Sequence, residues 1–238
     1  MPKSLPELAT TPPILPSVDT ASQETSSPSE ADFSPMFQAI GTLQALIERE
    51  ENGRFFICIG GRKYNLYIPY NRIKAWFKQI EATPDTPLFL RVYPKCQIVP
   101  QKEPEIRFQV VAWGSENRWE EQSGEFIFKG IWQFVPQLRT PCVSIYRNNN
   151  ATDPTEKFKA SHLPVLMRRE DEDIRPFRFN PKIPKENLPK RYFVEARFRF
   201  IPSKNCWGWI QDIKAPSDRI PRYKKPVKAT SVEQKKEH

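Results

Sequence analysis

Residues 54–82 read RFFICIGGRKYNLYIPYNRIKAWFKQIEA. Two β-rich runs flank Gly60–Gly61, the composition of a two-residue hairpin turn, whose central residues need positive φ. Beyond Pro69, Ile73, Trp76, Phe77 and Ile80 recur at i, i+3, i+4 and i+7, which predicts a short amphipathic helix with Asn71 as its N-cap. Thr83 to Pro87 ends it. Working outward, FQAIGTLQ (37–44) precedes the hairpin as a strand, and PLFLRVYPK (87–95) and EIRFQVVAWG (105–114) follow the helix as two more. The order is three strands, a helix, and two strands.

The pattern returns further along. Phe37, Gly41 and Gln44 recur with the same spacing as Phe126, Gly130 and Gln133, an offset of 89 residues. FIFKGIWQF (126–134), PCVSIYRN (141–148) and LPVLMRR (163–169) give three strands, and RYFVEARFRFIP (191–202) and CWGWIQDI (206–213) two more. A proline-rich stretch, 170–190, stands where the first unit has its helix.

This element order resembles the OB-fold, a five-stranded Greek-key barrel. The resemblance covers 36–114 and, in part, 125–213, where the helix is missing. Gly41 and Gly130 fall where such barrels bend their long first strand. The expected fold is mainly β: two small OB-like barrels, 36–122 and 123–213, with one short helix in the first. OB-folds bind single-stranded nucleic acid, oligosaccharides or proteins, so the resemblance implies no single function.

Both ends read differently from this body. Residues 1–35 hold seven prolines and seven serines, and Lys3 against Glu7, Asp19, Glu24, Glu30 and Asp32 leaves a charge of −4. That composition predicts a disordered acidic tail, within which Pro13 and Pro16 have the PxxP spacing of polyproline ligands. Residues 214–238 carry +5 and predict a disordered basic tail. The chain totals +9, so the body between the tails is itself at +8 and favours an anionic partner.

Several function classes find no support. The four cysteines, Cys58, Cys96, Cys142 and Cys206, lie far apart with no CxxC, so neither a metal site nor a disulfide framework is expected. The acidic run Glu170–Asp173 reads as a solvated loop. With two histidines, His162 and His238, and no GxSxG, P-loop, GxGxxG or HExxH pattern, the expectation is a non-catalytic protein without cofactors. No apolar run suits a signal peptide or a membrane span, which predicts a cytoplasmic protein.

What remains is a recurring strand face. RYFVEARFRF (191–200) puts Tyr192, Val194, Ala196, Phe198 and Phe200 on one side. Arg191, Phe193, Glu195, Arg197 and Arg199 lie on the other. PLFLRVYPK turns Phe89, Arg91, Tyr93 and Lys95 away from its apolar side, IRFQVVAW turns Arg107, Gln109, Val111 and Trp113, and KYNLYI turns Lys63, Asn65 and Tyr67. Aromatics that stack on bases, interleaved with cations that neutralise phosphates, are what single-stranded nucleic acid requires. The candidate contacts are Lys63, Tyr67, Phe89, Arg91, Tyr93, Arg107, Trp113, Arg197 and Arg199, with RNA or single-stranded DNA as partner. Trp132, Trp207 and Trp209 form either a stacking platform or a core. Protein interfaces enrich the same residue types, so an adaptor or inhibitor of a nucleic-acid-processing enzyme such as a ribonuclease stays open. So does a structural subunit of a larger assembly.

Overall fold

The strand order decides the architecture. In the computed structural model, which describes residues 36–99, 102–148, 160–169 and 174–224, β1 (Gln38–Ala45), β2 (Glu48–Arg49), β3 (Phe55–Ile59) and β4 (Arg62–Tyr67) precede α1 (Ile73–Ala82). After the helix come β5 (Leu88–Gln97) and β6 (Glu105–Gly114). β1 pairs with β5, β5 with β6, β6 runs parallel to β4, β4 pairs with β3, and β3 with β2. β1 and β2 act as one bent first strand, which makes this a five-stranded OB barrel with its helix between the third and fourth strands.

The second unit repeats the closure. Its strands are β7 (Glu125–Val135), β8 (Thr140–Ile145), β10 (Ser161–Leu166), β11 (Tyr192–Ile201) and β12 (Cys206–Ser217), with the two-residue β9 (Arg147–Asn148) after β8. The cycle runs β7–β8–β10–β12–β11 and back to β7, with β10 and β12 parallel. No α-helix stands between β10 and β11 among the described residues. Phe177 instead lies beside β7, exchanging backbone hydrogen bonds with Trp132 and Phe134.

Local chemistry explains the elements. Gly60 and Gly61 take φ of +57° and +75° between β3 and β4, as a tight hairpin turn demands. A 3₁₀ turn, Tyr70–Arg72, leads into α1, so the cap position falls on Arg72 without a side-chain bond. Asn71 sits inside that turn and does not cap the helix. A Cβ on Gly41 would lie 2.2 Å from Phe126 Cδ1, and one on Gly130 2.6 Å from the Ser144 carbonyl oxygen. Both glycines are needed because another strand lies against them.

The barrels meet along their first strands. β1 and β7 pair antiparallel, and the register sets Ala39 opposite Phe128, its own equivalent at the repeat offset of 89. The joint is therefore a local two-fold between repeated halves. Across it the cores merge: Phe200 lies 5.5 Å from Phe108 and 5.2 Å from Tyr64, ring centre to ring centre. Trp207 and Trp132 are buried in that core, which settles them as packing residues.

The fold extends past residue 213. β12 runs on to Ser217, opposite Phe193, and Lys214 reaches Glu195 at 3.5 Å. β13 (Tyr223–Lys224) pairs with β9, and Tyr223 packs edge-on against Phe37 at 5.5 Å. Residues 214–224, expected as tail, belong to the fold because Tyr223 completes an aromatic cluster around Phe37. The expected acidic tail at 1–35, the acidic run 170–173 and the rest of the basic tail lie outside the described residues.

Candidate nucleic-acid interface

The outer face of β5, β6 and β4 is built by register. Tyr93 stands opposite Gln109, and Gln109 opposite Tyr67. One step along, Lys95 stands opposite Arg107, and Arg107 opposite Asn65. Alternation turns Leu66, Phe108 and the other intervening residues inward, so the six side chains share one surface. The result is two adjacent rows, aromatic–amide–aromatic and Lys–Arg–Asn. Adjacent strands are about 4.8 Å apart, which puts the two tyrosines roughly 10 Å from each other.

Two clefts lie on this face. One, of about 270 Å³, is lined by Tyr67, Lys95, Gln97, Arg107 and Gln109 among others. Its neighbour, of about 360 Å³, shares Tyr67 and Arg107 and adds Arg54, Asn65 and Glu105. Tyr67 is 59% exposed, and Tyr70, just beyond it, 89%. An exposed tyrosine ring costs little to desolvate against a base and leaves its hydroxyl wet. Glu105 binds Arg107 through two bonds of 2.9 Å, and this pairing holds its carboxyl below the usual value. Both partners are well exposed, so the pair is weak and a phosphate can compete for the guanidinium.

The remaining expected contacts go elsewhere. Arg91 donates through both terminal nitrogens to Glu121, bonds Thr42 Oγ1 at 3.1 Å, and is largely buried. Burial alone would raise the Glu121 carboxyl, yet the bonds from Arg91, a backbone hydrogen bond and the charges of Arg91 and Arg197 together hold it low. Arg197 and Arg199 converge on Glu125 at 3.3 and 2.9 Å. There too burial pushes the carboxyl up, and the hydrogen bonds led by Arg199 bring it below its ordinary value. Glu195, buried, takes Lys129 and Lys214. On the cationic side of RYFVEARFRF, Arg197 and Arg199 thus share one internal carboxylate, and Arg191 lies over the Phe177 ring at 5.5 Å.

Lys63 pairs with Glu50 and covers the Phe56 ring at 3.8 Å. Trp113 packs edge-on against Trp76 of α1 at 5.2 Å, and Phe89, half-buried, stands opposite Gln44. Of the nine expected contacts, Tyr67, Tyr93 and Arg107 come together. Lys95, Gln109 and Asn65 complete the surface. Their signal was the strand alternation itself, followed across partners rather than along one strand. Tyr70 and Arg54 carried no periodic signal.

Ser144 and His162 also meet, Oγ to Nδ1 at 2.7 Å, across the β8–β10 pair. Ser144 is fully buried and accepts a second bond from Gln133 Nε2 at 2.8 Å. The contact cross-links two strands, and burial pushes the His162 pKa down.

No protein-family model matches the chain, and no curated protein matches it. Among solved structures it is similar to a deletion variant of the single-stranded DNA binding protein from Thermus aquaticus. The two are 10% identical, the match covers 78% of this chain and 94% of that one, and the TM-score is 0.37. The OB assignment stands on this chain's own strand order and parallel pairings.

Proposed function

We propose that this protein binds single-stranded nucleic acid, RNA or DNA, on the outer face of its first barrel, without catalysis. The observation that carries the reading is the pair of rows, Tyr93–Gln109–Tyr67 beside Lys95–Arg107–Asn65. Two tyrosines offer faces to bases, and the neighbouring cations meet the phosphates that link them. Each stacked base is worth about 1–3 kcal/mol whatever its sequence. The amide of Gln109 lies between the tyrosines and that of Asn65 at the end of the second row, each able to donate to or accept from base edges.

The test is fluorescence anisotropy of a labelled single-stranded RNA and its DNA equivalent across a salt series. The reading expects binding that weakens steeply with salt. Tyr67→Ala should reduce affinity roughly ten-fold, and Lys95→Ala should flatten the log–log salt slope by about one unit. No binding by the unaltered chain at any salt would overturn it.

A protein partner is the second reading, and one observation favours it. Leu166, Ile210 and Ile213 of β10 and β12 are each more than a third exposed. Binding that survives high salt and is lost on Leu166→Asp would point there.

A further inference from the structure

We infer that the cavity where the two barrels meet receives one nucleobase of the strand lying on the first-barrel face. The inference rests on the reading above and names a second place on the same ligand. The cavity holds about 280 Å³ and draws its lining from both barrels. Phe37 and Ala39 come from the first-strand region of one barrel and Ile145 from β8 of the other, giving an apolar wall. Tyr93, Lys95 and Ser161 add polar groups.

Three features fit a base. An apolar wall with a tyrosine beside it suits a flat ring with polar edges. The Ser161 hydroxyl oxygen is buried and has no hydrogen-bond partner among the described residues, a state that usually costs about 1–3 kcal/mol. Rotation about its Cα–Cβ bond would turn the hydroxyl toward a base edge in the cavity. Lys95 also lines the neighbouring cleft of Tyr67 and Arg107, so a phosphate held there would join a base stacked on the face to a base in the cavity. The volume is just below the usual range for ligand pockets, roughly 300–1,000 Å³, which suits one base and not a longer segment.

The experiment uses the full chain and a ten-nucleotide oligodeoxythymidylate in which one position at a time carries 2-aminopurine. The inference expects one position, or two adjacent ones, to change emission far more than the rest on binding. Ser161→Phe, which fills the cavity, should abolish that change and weaken binding about ten-fold. Should Ser161→Phe fail to fold, Met36→Glu is the second variant. Met36 lines the same cavity, is 46% exposed, and would carry a carboxylate there without touching the core. A uniform emission change along the strand, or unaltered binding by the folded variants, overturns the inference and leaves the first-barrel reading standing. Failure of the unaltered chain to bind the oligonucleotide at all overturns both.

Discussion

Tyr93, Gln109 and Tyr67 in the first barrel stand where Arg199, Gly208 and Leu166 stand in the second. In each barrel the row flanks a buried pair between the parallel third and fifth strands, Leu66 with Phe108 in one and Val165 with Trp207 in the other. The inward residues are alike in kind and the outward ones are not. One row offers rings and an amide beside Lys95 and Arg107. The other offers an aliphatic side chain, a bare backbone and an arginine already turned to Glu125. Shared topology fixes where a surface lies, while the outward residues decide what it can hold. On this comparison the proposed ligand face belongs to the first barrel, and the second has no matching row.

The strongest way to break the comparison is to separate the barrels. Gly41→Val would drive its Cβ into Phe126 and the Glu125 carbonyl at the first-strand joint. It should prevent folding or cost several kcal/mol, and both barrels should melt together in calorimetry because they share a core. Two separated transitions would mean that the cores are independent.

Arg91→Ala comes next. Removing it leaves Glu121 buried without its main partner, which should cost about 3 kcal/mol and lower Tm by several degrees. Nucleic-acid affinity of the folded variant should hardly change, as measured by anisotropy at a temperature well below Tm. A large loss of affinity with little loss of stability would return Arg91 to the ligand face.

A smaller effect tests the pH dependence of the second barrel. His162 is half-buried and desolvation holds its pKa below the ordinary 6.5, so the unfolded chain takes up its proton first. Stability should be full above about pH 6.5 and fall as pH drops towards and through the lower folded value. Denaturant midpoints between pH 8 and 5 should show this decline, and His162→Asn should flatten it. A midpoint that rises on acidification would contradict the assignment.

Most of the fold could be read locally. The hairpin glycines, the i, i+3, i+4, i+7 spacing of α1 and the alternation of the strands each state their structure within ten residues. The repeat at Phe37 and Phe126 announced two related halves. That its two copies pair with each other could not be read, because register across 89 residues is set by packing of Phe126 on Gly41.

The site was only half legible for the same reason. Alternation identifies an outward arginine but not the acid that reaches it. Glu121 lies 30 residues from Arg91, and Glu125 lies 74 from Arg199. Trp113 reads as outward and instead lies against Trp76, because α1 covers that end of β6. Tyr67 and Tyr93 became a pair only through Gln109, the residue between them in space.

The measurement that bears most directly on the central claim compares Tyr67→Ala with Leu166→Ala, equivalent positions in the two barrels, by anisotropy on one labelled single strand. The account predicts roughly ten-fold weaker binding for Tyr67→Ala and no change for Leu166→Ala, with both folds intact. Equal losses, or a loss confined to Leu166→Ala, would contradict it.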